Sequence, residues 1–378
     1  MIVVYAVLLI LLNVLHLCAS DYADVGLDDD VDPSHKSGGL RWRNLGVSLE
    51  PCPLTTALML DEYNNISESF DGKHQHCLDD SMWLLHPSSG IVENGKLCGI
   101  IGPSGAGKTS FLNALGGTTP RSSGLHLTGS VWYEECLQPA HNSNITTGCH
   151  QYHLSQQDGD IALLQQHDNF FDMLTPREAL EFAAYLEVAQ KQNKPQNDHK
   201  VIAKRKLASL GLTGVADRRI GDRTTMDGGG RSSFGWRKIG WGTTKKASSS
   251  KVRRGGGLSG GERRRLSVAL ELITEPKIFL ADEPTTGLDS SQAEKVVKLI
   301  SRLAKERNVP SICTLHQPKS SIWRTLDQFI LLAPGGKMCY AGERDNATSY
   351  FANIGYECPH DTNPAEFFID LVSVDTVS

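Results

Sequence analysis

Gly102-Pro103-Ser104-Gly105-Ala106-Gly107-Lys108-Thr109 fits the spacing G-x-x-x-x-G-K-[ST], and no other stretch so narrows what this chain can fold into. The apolar run Leu97–Ile101 precedes it, and Phe111, Leu112, Ala114 and Leu115 follow at a spacing that predicts a helix. A strand, a glycine loop and a helix in that order aim backbone N–H groups and a helix N-terminus at one point, which suits a phosphate. Lys108 would bring a positive charge to the β and γ phosphates of a nucleotide, and the Thr109 hydroxyl would ligate Mg²⁺. Ser110 completes the residues expected to face the nucleotide from this loop. The plainer reading, a glycine-rich turn with a chance lysine, leaves the flanking strand and helix unexplained.

Two further segments gain meaning beside that loop. The run Ile278–Ala281 ends in Asp282-Glu283-Pro284, which alone would pass for a solvated acidic turn. Next to a phosphate loop, Asp282 is placed to hold Mg²⁺ with Thr109, and Glu283 to polarise an attacking water. Leu258-Ser259-Gly260-Gly261-Glu262 contains the S-x-x-E pattern of a capping box and opens a helix with Leu266, Ala269, Leu270 and Ile273 on its apolar face. Its glycines and first N–H groups make a second anion site. With Ile312–Leu315, the runs Leu97–Ile101 and Ile278–Ala281 have the length of buried strands in a parallel sheet, whose carboxyl ends should converge on one site.

The 378 residues carry a net charge of -5, so a nucleic-acid partner is not expected. Nine cysteines without a C-x-x-C pair point to reduced, buried thiols rather than disulfides or zinc. Residues 1–20 form an apolar segment read as a signal or anchor, against the alternative of a core strand or helix. Residues 21–39 read as an acidic linker and 40–378 as one globular region, with no internal repeat. Within it, Glu134–Asp160 is expected to extend a loop between strands. The stretch 223–254 is a basic, Gly/Ser-rich insertion. Its cations, with Phe234, Trp236 and Trp241, would suit anionic lipid or nucleic acid; a solvated loop without a partner is the simpler reading.

In its order of motifs the chain resembles the nucleotide-binding domain of ABC transporters, over roughly Leu40 to the end. Gly260-Gly261-Glu262-Arg263-Arg264-Arg265-Leu266 and Asp282-Glu283-Pro284-Thr285-Thr286-Gly287-Leu288-Asp289-Ser290 are similar to the G subfamily, and Asn363–Asp370 resembles its lead into the membrane domain. The resemblance implies an α/β fold of the P-loop NTPase class: a RecA-like core, an antiparallel β subdomain and an α-helical signature subdomain. It implies Mg²⁺-dependent hydrolysis of ATP, powering transport, between two cassettes in head-to-tail contact. Each nucleotide would then touch Lys108 of one chain and Ser259, Gly260 and Gly261 of the other. Gln166 matches the glutamine that senses Mg²⁺, although Gln165 adjoins it; His316 matches the histidine that contacts the γ-phosphate, and Asp289 the residue coupling the two sites.

The implied partners are a second nucleotide-binding domain, identical or different, and a transmembrane domain missing from this chain. The protein is then expected at a membrane with its ATP-binding domain facing the cytosol, an orientation that Arg41 and Arg43 after the apolar segment favour. The family's adenine-stacking aromatic has no counterpart here: Leu49 falls near its place, and Trp42 is expected to pack inside. Two rival readings are a soluble ABC-type ATPase outside transport and a cassette that binds ATP without turnover.

Overall fold

The computed structural model describes residues 38–49, 83–119, 124–136, 149–152, 159–190, 198–221 and 256–373. The apolar segment 1–20, nearly all of the linker 21–39 and the basic stretch 223–254 lie outside the described residues. The chain divides into two compact units, one of Met1–Gln166 with Thr274–Ser378 and one of His167–Ile273.

The first unit contains two sheets. Strands β1 (Gly39–Ser48), β2 (Trp83–Glu93), β4 (His126–Cys136) and β5 (Cys149–Tyr152) form an antiparallel sheet in the order β2-β1-β4-β5. The stretch Glu134–Asp160, expected to be loop, therefore contributes the last residues of β4 and all of β5. The second sheet takes β3 (Leu97–Ile101), β6 (Ile161–Leu164), β7 (Ile278–Ala281), β8 (Ser311–Thr314), β9 (Gln328–Ala333) and β10 (Lys337–Glu343), in the order β10-β9-β3-β8-β7-β6. All neighbours in it are parallel except β9 and β10. Strands β3, β7 and β8 are buried along their whole length, as the unbroken apolar runs require of a sheet covered on both faces.

The two sheets share a core. Leu40, Trp42, Leu45 and Val47 of β1 join Ile100, Ile278 and Ile312 of the parallel sheet, with Phe111 and Leu112 of helix α1 (Lys108–Leu115) among them. Trp42 does pack inside: it is 1% exposed and meets Phe111 edge-on, ring centroids 5.6 Å apart. Gly90, its register partner on β2, makes the room, because a Cβ there would lie 2.4 Å from Cζ2 of the indole. The antiparallel sheet is thereby fixed against the helix that follows the phosphate loop.

Helices α2 (Pro176–Gln190), α3 (Asp198–Ser209) and α4 (Gly260–Glu271) belong to the second unit, which lies in sequence between the paired strands β6 and β7. The sequence Thr175-Pro176-Arg177-Glu178 has the spacing of a capping box with Pro at the first helical position, and Thr175 and Glu178 exchange hydrogen bonds at the start of α2. Arg264 of α4 is buried and reaches Asp168 at 2.9 Å, and Ser267 donates to the same carboxylate oxygen at 2.5 Å. On either side of the basic stretch, the Leu258 N–H donates to the Ile220 carbonyl at 3.1 Å.

Helices α5 (Ser290–Arg307), α6 (Ser320–Trp323), α7 (Arg344–Asn353) and α8 (Pro364–Val372) complete the first unit. The closing segment does not stand apart from it. Phe368 of α8 is fully buried and stacks on Phe329 of β9 with centroids 5.7 Å apart, and Asn363 donates to the Pro318 carbonyl at 2.9 Å. No described helix is long and apolar enough to cross a membrane.

Candidate functional site

Four adjacent parallel strands, β3, β8, β7 and β6, end side by side. The phosphate loop Gly102–Thr109 leaves β3, His316 follows β8, Asp282 and Glu283 follow β7, and Gln166 follows β6. That is the edge of an open α/β sheet where ligands bind. Gly107 stands before α1 with φ 84°, a left-handed backbone that favours glycine, and α1 has neither a side-chain cap nor an acidic residue in its first turn. Its leading N–H groups are thus not claimed by a side-chain cap, as a phosphate would need.

Lys108 is 7% exposed, and its ammonium donates to the carbonyls of Gly102 and Pro103, each at 2.9 Å. Burial pulls its pKa below the ordinary lysine value, while the charges of Glu283 and Asp282 act in the opposite direction. A buried cation curled inside a loop of N–H donors is well suited to an incoming polyphosphate. Ser104 of the same loop is bonded to His316 Nε2 at 2.9 Å, so the loop and the β8 end already touch.

The Thr109 hydroxyl donates to Asp282 Oδ1 at 3.1 Å, bringing a hydroxyl and a carboxylate together beside the loop. Among the described residues no group of three or more His, Cys, Asp or Glu could hold a metal. This donor set fits Mg²⁺, which takes one or two protein oxygens and completes its shell with substrate phosphates and water. Glu283 adopts φ 41°, unusual for a residue with a side chain. Its Oε2 accepts from Gln166 Nε2 at 2.9 Å and from the Thr286 hydroxyl at 2.7 Å. Its backbone N–H donates to the Thr314 hydroxyl at 2.7 Å, and that hydroxyl donates to Asp282 Oδ1, also at 2.7 Å.

The structure therefore gathers Gly102–Ser110, Gln166, Asp282, Glu283 and His316 at one sheet edge of the first unit. Gln166 reaches Glu283 with its side-chain amide. Asp289 sits at the N-cap of α5 and accepts from the Gln292 N–H at 2.9 Å. Ser259, Gly260 and Gly261 are in the second unit, where Ser259 and Glu262 form the expected capping box at the start of α4. Sequence reasoning passes over Thr286 and Thr314. A hydroxyl inside the otherwise apolar run Ile312–Leu315, two residues before His316, is the available signal for Thr314.

The comparisons with known proteins agree with this geometry. The profile of the ABC transporter family matches residues 85–286, and an ABC-2 type transporter profile matches residues 316–375. The second stretch holds β9, β10 and the helices packed around them. The chain is similar to ABC transporter G family member 7 of Arabidopsis thaliana, 35% identical over 94% of this chain and 39% of that protein. It is also similar to human ATP-binding cassette sub-family G member 8, 34% identical over 75% of this chain and 35% of that protein. The chain thus spans under two fifths of the length of these relatives. In fold it is like cbiO1 from Clostridium perfringens, part of the ABC transporter complex cbiONQ, with TM-score 0.51 and 16% identity over 84% of this chain and 93% of that one. A phosphate loop after β3, an Asp-Glu pair after β7 and a capped Ser-Gly-Gly-Glu helix, matched by this profile over more than half the chain, establish it as a member of the ABC transporter family, of the P-loop NTPase fold.

Proposed function

We propose that this chain binds ATP with Mg²⁺ and hydrolyses it, as the nucleotide-binding domain of a transporter resembling the G subfamily. The observation that carries the proposal is Glu283, a carboxylate held by Gln166 and Thr286 at the strand end next to the Thr109–Asp282 pair. Lys108 and the N–H groups of the loop and α1 bind and orient the phosphates. Thr109 and Asp282 would hold Mg²⁺, with Gln166 close by; when bound, the ion offsets phosphate charge that builds up as the bond to the leaving group breaks. Glu283 is placed to orient a water and take its proton, and His316 to meet the γ-phosphate. Hydrolysis would power passage of a solute through a transmembrane domain, with the cassette at the membrane's cytosolic face. A second cassette, facing the first head to tail, would supply Ser259, Gly260 and Gly261 to the nucleotide, and Asp289 would couple the two sites.

The test separates binding from turnover. Lys108→Ala is expected to lose ATP binding. Glu283→Gln should bind ATP as the wild type does yet release phosphate about 10²–10⁴-fold more slowly. Equilibrium binding and phosphate release decide; equal loss of binding in both variants would refute the division of roles.

A further inference from the structure

Thr314 ends β8 and is fully buried, and its single hydroxyl serves both acidic residues of the site. It donates to the side chain of Asp282 and accepts from the backbone of Glu283, each at 2.7 Å. We propose that Thr314 is a positioning residue for hydrolysis, setting the metal-side carboxylate and the water-side carboxylate through one hydroxyl. The proposal rests on the ATPase reading above.

Three observations support it. First, Glu283 holds a left-handed backbone at φ 41°, a conformation that persists in a non-glycine residue only where its surroundings over-determine it. Thr314 fixes its N–H from one side. On the other, Thr286 donates its hydroxyl to the Glu283 carboxylate at 2.7 Å and its N–H to the Glu283 carbonyl at 3.2 Å. Second, Asp282 Oδ1 accepts from both Thr109 and Thr314. Thr109 stands on the exposed phosphate loop, and its hydroxyl is the one a divalent ion would draw away. Thr314 stands on a strand paired on both sides, opposite Ile100 of β3, so its hydroxyl stays on Asp282 when the other turns. Third, a side chain bonded to a metal-holding carboxylate governs how well that carboxylate is aimed.

The full-length chain tests this with Thr314→Val, which keeps the shape and removes the hydroxyl, and Thr314→Ser, which keeps the hydroxyl. Thr314→Val is expected to lower kcat by about tenfold or more while KM for ATP moves by less than about threefold. ATP affinity in EDTA should be unchanged, but about tenfold more Mg²⁺ should be needed to raise that affinity. Thr314→Ser should return both quantities most of the way to wild type. A Thr314→Val protein that matches wild type in kcat and Mg²⁺ requirement would overturn the proposal. So would one that loses metal-free ATP affinity in proportion, the mark of a merely structural role. If Thr314→Val does not fold, Thr314→Cys, with its weaker donor, should shift the Mg²⁺ requirement in the same direction. Absence of turnover in the wild type would defeat the ATPase reading instead, and the Mg²⁺ dependence of ATP affinity would still judge Thr314.

Discussion

Lys108 is a buried cation, and burying it costs the fold some stability. Burial lowers its pKa, so the folded protein disfavours its ammonium relative to the unfolded chain. The linked stability is therefore present above the unfolded lysine pKa and is lost as pH falls through the lower, folded value. Nucleotide-free wild type should gain thermal stability relative to Lys108→Met as pH rises through the alkaline range. Melting curves of both proteins across that range check the sign; a wild type that loses stability relative to Lys108→Met as pH rises would contradict it. The same reasoning separates the thiols. Burial pushes Cys313 up to about 12 and raises Cys98 well above its ordinary value, so these two lie in the core as unreactive thiols. They are packing residues of β3 and β8, in keeping with cysteines whose spacing suggests reduced thiols.

Among the elements, α4 carries two duties at one end. Ser259 accepts from the Glu262 N–H and Glu262 accepts from the Ser259 N–H, which stabilises the helix; under the proposed function, Gly260 and Gly261 would also offer its first N–H groups to an anion. The two duties separate by substitution. Ser259→Ala should lower stability by about 0.5–2 kcal/mol in urea unfolding. Ser259→Asp should keep the cap and the stability, yet slow phosphate release sharply by setting a negative charge against the nucleotide. An Asp variant that hydrolyses ATP at the wild-type rate would remove Ser259 from the site. Elements of this kind are legible in the amino-acid sequence alone. The bounds of β3 and β7 and both capping boxes follow from local chemistry: an unbroken apolar run, or a hydroxyl three residues before a glutamate. Strand β8 starts one residue before its apolar run, at Ser311, which pairs with Leu97 and donates its N–H to the Lys96 carbonyl. What stays hidden depends on contacts distant in sequence. Beyond a hydroxyl in an apolar run, nothing local marks Thr314 as the partner of Asp282 and Glu283, and nothing local marks Gly90 as the space for Trp42.

At the scale of the whole molecule, the chain has its phosphate loop in one unit and the Ser-Gly-Gly-Glu helix start in the other. If two copies share each nucleotide, Glu283→Gln should shift from monomer to dimer when ATP and Mg²⁺ are added. Sizing of the full chain reads this directly, and a monomer at saturating ATP would contradict it. A different property follows from the bond between Leu258 and Ile220. It brings together Ile220 and Leu258, the two points on either side of the basic stretch. Closing a loop on ends already joined costs only chain entropy, about 0.6 kcal/mol for each doubling of its length. Lengthening there is nearly free in stability, while an insertion of equal size inside α4 would break its ladder. The second unit thus has a natural splice point, where a tag, a reporter domain or a longer natural insert would ride on the cassette with little strain on the helices it adjoins.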